Sequence, residues 1–317
     1  MDTKQIRNTL LLVLTAIIWG CAFVAQSVGA EYVGPFTFIA ARSWLGGAAV
    51  LPVVLFLRSK SDKSNAASAP APQRKTLIWG GIACGFCLFI AMAAQQIGVA
   101  YTTAAKAGFI TTMYVIIVPI LTLFMGRKVG KKIWLCVLLG VVGLYLLCMV
   151  GGLSLSMGDA AVLASALLFS FHILTVDHFA PKVNSIQLSC IQFLAAAAFS
   201  TVCMILFETP TWESISAAAM PILYAGIMST GVGFTLQLIA QKDLNPTIAS
   251  LAMSMESVFS ALAGWIFLGQ GLSPRELGGC ALMFAAIILA QLPDQLFSKR
   301  GNRKIVLSQE TQDEPTI

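Results

Sequence analysis

The stretches Tyr114–Gly126 (YVIIVPILTLFMG) and Ser257–Gly269 (SVFSALAGWIFLG) decide the fold, because they belong to two copies of one pattern. A shift of the chain by 143 positions places the first stretch on the second. Each copy consists of an apolar helix, a break that contains Gly, and a second apolar helix rich in small residues. A shift of about 150 positions pairs Trp19 with Phe169. The pattern therefore predicts an internal duplication that reaches back towards the N-terminus.

Composition indicates the solvent that surrounds the chain. Of its 317 residues, 57% are hydrophobic and 11% are charged, and the mean hydropathy is +0.83. Water-soluble domains carry about 25% charged residues, so this chain has too few charges to cover a surface in water. Apolar stretches of about 20 residues, the length that crosses a hydrocarbon core, recur along the whole chain. These features predict an all-α polytopic membrane protein.

Hydropathy and loop composition predict ten transmembrane helices. Most linkers are short, but Arg58–Lys75 is rich in Ala, Ser, Pro and Lys and is predicted to be a flexible loop. Residues 9–150 are expected to form one five-helix repeat and residues 159–292 a second, followed by a polar cytoplasmic tail at 293–317. The predicted spans are Thr9–Val28, Pro35–Leu57, Leu77–Val99, Ala104–Met125, Ile133–Val150, Asp159–Ala180, Ile186–Phe207, Ala217–Gln241, Pro246–Leu268 and Glu276–Leu292.

The distribution of Lys and Arg predicts the orientation. If the N-terminus is cytoplasmic, every Lys and Arg except Arg42, Lys106 and Arg275 falls on the cytoplasmic side, as the positive-inside rule requires. The net charge of +6 is then a topology signal that also attracts anionic lipid headgroups, not a nucleic-acid surface. Because each half holds five spans, the two repeats are expected to be inverted, as in many alternating-access proteins. Both termini are predicted to lie in the cytoplasm, with the chain crossing the cytoplasmic membrane.

Four features of the sequence are informative together: Ala16–Gly20 (AIIWG), Arg42, Thr102–Phe109 (TTAAKAGF) and Met255–Gly264 (MESVFSALAG). They resemble the EamA domain of the drug/metabolite transporter superfamily, and the resemblance covers about Leu10–Gln291. It implies ten helices in two inverted repeats and secondary active transport of small organic metabolites or drugs. Export is the direction that the resemblance favours. Uptake of a small amine, amino acid or vitamin-like solute is the alternative.

Glu256 is the first candidate for a substrate-binding residue. It lies ten residues after Pro246 and twelve before Leu268, which places it near the membrane midplane. An ionised carboxylate at that depth costs about 2.5–3.5 kcal/mol, so the side chain should face a cavity or a partner. The equivalent residue of the first copy is Met113. The prediction is a cation or proton site; the alternative is a hydrogen-bonded Glu that joins two helices.

Three further side chains are candidates for the same site. Tyr114 aligns with the neighbour of Glu256 and should lie at a similar depth, and Pro119 is expected to kink its helix. Trp19 lies near the centre of the first span, where its ring is suited to contact a cationic or planar solute. His172 is a candidate proton carrier in the sixth span. For each of the three, ordinary packing or a backbone hydrogen bond is the alternative.

Polar residues near the span ends complete the predicted site. Gln95 and Gln96 lie towards the outer end of the third span, and Gln237 and Gln241 towards the inner end of the eighth. They are predicted to line the outer and inner entrances, with Gln96 and Gln237 assigned to the substrate site; helix–helix hydrogen bonding is the alternative. Arg42 lies near a span end, so contact with the interface through its long side chain is preferred to contact with substrate.

Other function classes fit the sequence less well. A membrane enzyme needs clustered ligands or a nucleophile beside a base, and a channel needs a filter sequence or rings of like residues. The C-x-x-C of Cys84 and Cys87 lies among apolar residues and is interpreted as packing. No cofactor, metal or nucleic acid is therefore expected. The expected partners are membrane lipids and an amphipathic neutral or cationic solute, and the protein is expected to be a monomer or homodimer.

Overall fold

A computed structural model describes residues 3–63, 71–148, 156–268 and 273–291. Within these residues all regular secondary structure is helical. The predicted tail at 293–317 lies outside them. The α-helices are α1 (Thr3–Gly29), α2 (Pro35–Lys63), α3 (Ala71–Val99), α4 (Ala104–Thr111), α5 (Tyr114–Phe124), α6 (Lys131–Cys148), α7 (Met157–Phe179), α8 (Ser185–Phe207), α9 (Trp212–Ala217), α10 (Ala219–Leu223), α11 (Thr235–Gln241), α12 (Pro246–Met253), α13 (Glu256–Leu268) and α14 (Pro274–Gln291).

Eight helical segments are long and apolar enough to cross a membrane, and they coincide with eight of the ten predicted spans. The predicted fifth and tenth spans fall on α6 and α14, helices of 18 residues each, and remain predictions. The eight segments are Thr3–Gly29, Pro35–Phe56, Gln73–Val99, Ala104–Phe124, Met157–Lys182, Ser185–Phe207, Ala219–Gln241 and Pro246–Phe267.

The predicted flexible loop Arg58–Lys75 is in part helical. Helix α2 continues to Lys63 and α3 begins at Ala71, while residues 64–70 lie outside the described part of the chain. Ala, Lys, Arg and Gln are good helix formers, so the two helices extend beyond their apolar segments. The prediction mistook the end of the hydrophobic run for the end of the helix.

Two spans are interrupted near their middle. The segment Ala104–Phe124 breaks at Thr112 and Met113, and the segment Pro246–Phe267 breaks at Ser254 and Met255. Helix α5 continues through Pro119, and the break of this span lies before it, at Thr112 and Met113; the kink at Pro119 stays a prediction.

The eighth span contains a long π-helical segment. Residues Tyr224–Phe234, which lie between α10 and α11 in the chain, form a π-helix with i→i+5 backbone hydrogen bonds. Within it, the Thr230 hydroxyl donates to the Ala225 carbonyl, five residues earlier, at 2.8 Å. A π-helix is wider than an α-helix, and such segments are frequent at functional sites. We refer to Tyr224–Phe234 as the π segment.

Helices from the two halves of the chain pack against each other throughout the bundle. Helix α2 packs on α8, α3 on α7, α6 on α14 and α1 on α13. Gly20 allows the last of these contacts, because a Cβ atom at this position would lie only 2.5 Å from the Cβ of Phe259. The halves therefore form one bundle, and the surfaces between them contain the polar residues described below.

Candidate functional site

A cavity lies between the two halves at the level of the helix breaks. The space between its lining residues, together with the part that is open to solvent, is about 370 Å³. It is bounded by aromatic rings on several sides and by a small number of polar groups. The lining residues include Trp19, Phe23, Phe169 and Phe234, together with Gln26, Arg42, Gln95, Thr111, Ser229 and Glu256. A mostly apolar cavity with a few convergent polar groups is typical of a small-molecule site.

Glu256 begins α13, directly after the break in the ninth span, and lines the cavity with 3% of its surface exposed. The first turn of a helix favours a negative charge, because its backbone N–H groups lack intrahelical partners. Tyr114 begins α5 directly after the other break, and its buried hydroxyl lies beside the Glu256 carboxyl. No hydrogen bond of ordinary geometry joins them: among the described residues, Tyr114 Oη and Glu256 Oε1 have no hydrogen-bond partner. The two helix breaks thus bring the two predicted side chains together.

Arg42 also lines the cavity, which corrects the prediction that it reaches the membrane interface. Its side chain is buried, with 2% of the residue exposed. Arg42 Nε donates to Thr230 Oγ1 at 3.0 Å, and Nη2 donates to Ser229 Oγ at 2.8 Å. The two hydroxyls of the π segment hold the guanidinium inside the protein. Position along the helix alone did not reveal them, because they lie far away in the chain.

Trp19 and His172 both contact the ring of Phe234. Trp19 lines the cavity, donates from Nε1 to the Ser229 carbonyl at 3.2 Å, and packs on Phe234 with a centroid distance of 4.6 Å. His172 packs edge-on against the same Phe234 at 5.9 Å and has Nε2 3.2 Å from Gln192 Oε1. His172 is fully buried and does not line the cavity. His172 therefore lies outside the cavity, in contact with Phe234 of its lining.

The predicted glutamines form hydrogen bonds between or along helices. Gln96 donates to the Gln26 carbonyl at 3.1 Å and does not line the cavity, whereas its neighbour Gln95 does. Gln237 donates to Gln241 Oε1 at 3.1 Å, and both are buried away from the cavity. The structure therefore brings Glu256, Tyr114 and Trp19 to the cavity region and leaves Gln96 and Gln237 outside its lining.

Comparison with known proteins identifies the family. The model of the EamA-like transporter family matches the chain twice, at residues 7–149 and at residues 156–292. The chain belongs to this family. The resemblance noted in the sequence motifs is thus confirmed, and so is a role as a multi-pass membrane transport protein.

Relatives of this EamA-like transporter come from archaea and bacteria. An uncharacterized transporter of Archaeoglobus fulgidus is 28% identical over 294 residues, covering 91% of this chain and 87% of the relative. The threonine/homoserine exporter RhtA of Escherichia coli is 26% identical over 186 residues, covering 57% of this chain and 60% of the relative. A protein crystal structure that is 21% identical superposes with a TM-score of 0.72 over 92% of this chain and 99% of its own. At this sequence identity, the similarity to the crystal structure supports the fold alone.

Sequence reasoning missed Ser229 and Thr230, the two polar residues that hold Arg42 at the cavity of this EamA-like transporter. It named both Gln95 and Gln96 but assigned Gln96 to the substrate site, whereas Gln95 lines the cavity. A signal was present in Gly226–Gly233 (GIMSTGVG), where three glycines and two hydroxyl residues interrupt an apolar span. Such a composition favours departure from regular α-helix, but it does not indicate which side chain the hydroxyls bind.

Proposed function

We propose that this protein is a secondary active transporter that exports small organic solutes across the cytoplasmic membrane by alternating access. The observation that carries the proposal is the cavity at the level of the two helix breaks, lined by residues of both halves. Solute sites of secondary transporters lie near the midplane and are typically formed by discontinuous helices between two repeats. Relative movement of the two halves exposes such a site to each side of the membrane in turn.

The halves are proposed to be inverted five-helix repeats, residues 9–150 and 159–292, with ten spans and cytoplasmic termini. Two observations support this arrangement. The breaks at Thr112–Met113 and Ser254–Met255 are 142 positions apart, close to the shift of 143 that relates the sequence copies. In addition, α2 packs on α8 and α6 on α14, and each of these pairs consists of corresponding helices. Two halves that are related by a two-fold axis place corresponding helices against each other in this way.

Glu256 is proposed to couple transport to protons. Its carboxyl is buried at the cavity and forms no ion pair within the described part of the chain. A buried carboxylate requires a counter-charge, which either a proton or a cationic group of the solute supplies. Because the two compete for one group, a proton entering from one side displaces the solute on that side.

Export is proposed because the relative RhtA is named as an exporter. Uptake of a small amine, amino acid or vitamin-like solute is the alternative, since one alternating-access fold works in either direction and the gradients decide.

Transport by purified protein in proteoliposomes tests the proposal. A panel of small metabolites is offered under an imposed pH gradient, and wild type is expected to move at least one solute against its gradient. Glu256→Gln is expected to lose the dependence of transport on pH, because the group that exchanges protons is removed. Glu213→Gln removes an exposed carboxyl of α9 and should behave as wild type. Normal pH-dependent transport by Glu256→Gln would contradict proton coupling through this residue.

A further inference from the structure

We propose that the cavity recognises zwitterionic solutes, with a compact carboxylate bound at Arg42 and an ammonium group bound at Glu256. The inference rests on the proposed transport function and names the substrate class of the same cavity. It differs from the preference for neutral or cationic solutes that the sequence alone suggested, because Arg42 lies inside the protein.

Arg42 is a buried charge without an acidic partner. Its two hydrogen bonds go to the neutral hydroxyls of Ser229 and Thr230, and none of the carboxylates in the described residues forms an ion pair with it. Its Nη1 group forms no hydrogen bond with the described residues. Buried charges are normally paired, since an unpaired one is costly to remove from water. A guanidinium that faces a cavity with free N–H donors is suited to a carboxylate, which it binds through two parallel hydrogen bonds.

Glu256 presents the opposite charge to the same cavity, and the two residues do not neutralise each other. No ion pair within 4.0 Å joins Glu256 to Arg42, although both line the cavity. Arg42 comes from α2 in the first half and Glu256 from α13 in the second. A solute that carries both charges would therefore bridge the halves.

Charge balance makes the cavity selective. An amine alone leaves Arg42 without an anion, and a carboxylic acid alone leaves Glu256 without a cation. A zwitterion satisfies both residues and adds no net charge to the interior. The remaining wall carries Trp19, Phe169 and Phe234, which suits an uncharged side chain, whereas an acidic or basic side chain brings a third buried charge.

Binding of matched compounds to the purified full-length protein tests the inference. Neutral L-amino acids are compared with the amines that lack the carboxylate and the acids that lack the amine, for example L-leucine, 3-methylbutylamine and 4-methylpentanoate. The readout is ligand-dependent thermal stabilisation. The affinity for an amino acid is expected to be about 30-fold higher than for either analogue. Each analogue leaves one buried charge of the protein without a partner, and losing one partner of a buried charged pair weakens binding by at least this much.

Variants then test which residue binds the carboxylate of the solute and which binds its ammonium group. Arg42→Gln should reduce the affinity for the amino acid to that for the amine, and Glu256→Gln should reduce it to that for the acid. Arg42→Lys keeps the charge and should retain part of the preference, which guards against a misfolded Arg42→Gln protein. Ser229→Ala removes one hydroxyl that holds Arg42 and should weaken binding less than Arg42→Gln.

Two results would overturn the inference. The first is an amine or an acid that binds as tightly as the corresponding amino acid. The second is an unchanged preference for amino acids in Arg42→Gln, which would mean that Arg42 stabilises the fold and does not bind the solute. If other solutes are moved under a pH gradient while the amino acids neither bind nor move, the transport function stands and the zwitterion assignment fails. If no solute is moved at all, the proposed transport function itself fails.

Discussion

Lys106 Nζ lies 2.6 Å from Asp159 Oδ2, so an ion pair joins α4 of the first half to α7 of the second. The Asp159 carboxylate is fully buried and also accepts from Thr102 Oγ1 at 2.9 Å and from the Ser156 backbone N–H at 2.8 Å. Asp159 also forms a capping box with Ser156 at the start of α7. The pair with Lys106 adds a connection between the halves; because the proposed topology places it on the outer side of the membrane, we call it the outer ion pair.

Loss of the outer ion pair is expected to destabilise the protein. Asp159→Asn should lower the free energy of unfolding by about 2 kcal/mol, because charge-assisted hydrogen bonds to a buried group are lost. The control is Asp177→Asn, since Asp177 pairs with Arg127 at the other end of α7 and the Arg127 side chain is 46% exposed. This change should cost less than about 1 kcal/mol. Denaturant unfolding in detergent measures both, and equal losses would contradict the ranking.

The contact between α1 and α13 is expected to tolerate no side chain at Gly20. In Gly20→Ala the new Cβ would lie 2.5 Å from Phe259 Cβ and 2.7 Å from the backbone of Ser260. Overpacking of this kind costs about 1–3 kcal/mol. Gly278→Ala is the matched control, because a Cβ at that position of α14 has no described neighbour within 4 Å. Thermal unfolding should show a lower midpoint for Gly20→Ala only; a similar midpoint for both variants would show that the contact adapts.

Features that depend on one segment of the chain were predictable from sequence. Hydropathy found eight of the predicted spans because length and apolarity are local properties. Counting along the ninth span placed Glu256 near the middle of that segment, which is where the structure has the break. The alignment of the two copies placed Tyr114 at a corresponding position beside it. Each of these inferences needs only the distance along one helix.

Features that depend on distant partners were not predictable. Arg42 lies inside the bundle because Ser229 and Thr230 accept its hydrogen bonds, and the chain separates them by nearly two hundred residues. Hydropathy does not distinguish an Arg that reaches the interface from one held by hydroxyls of another helix. The π segment was missed for a related reason, since i→i+5 bonding is set by packing as well as by composition.

Glu208 is expected to stabilise the start of α2 from the other half of the chain. Its carboxylate accepts hydrogen bonds from the backbone N–H groups of Phe36 and Thr37, each at 2.8 Å, and from the Thr37 hydroxyl at 2.6 Å. A negative charge at a helix N-terminus is favourable. Glu208→Gln should lower the free energy of unfolding by about 1.5 kcal/mol, whereas Glu213→Gln, at an exposed position of α9, should leave it unchanged. Chemical denaturation checks both, and equal stability of the two variants would argue against the cap.

The predicted entrances can be tested by cysteine accessibility. Gln95 and Gln237 are buried, with 6% and 1% exposed, and each is hydrogen-bonded to a neighbour. Alternating access requires that each becomes accessible only when its own side opens. In a background without the eight native cysteines, Gln95→Cys should react with an impermeant maleimide only from the outside and Gln237→Cys only from the inside.

The outer ion pair links this labelling to the conformational change. Adding Asp159→Asn should increase the labelling rate at position 95 and decrease it at position 237, because weakening the outer contact shifts the population towards the outward-open state. Asp177→Asn should have the opposite effect, since it weakens the contact at the other end of α7. Parallel changes at both positions would mean that the substitutions loosen the bundle as a whole. Opposite changes arise only if the two ends of α7 open in alternation.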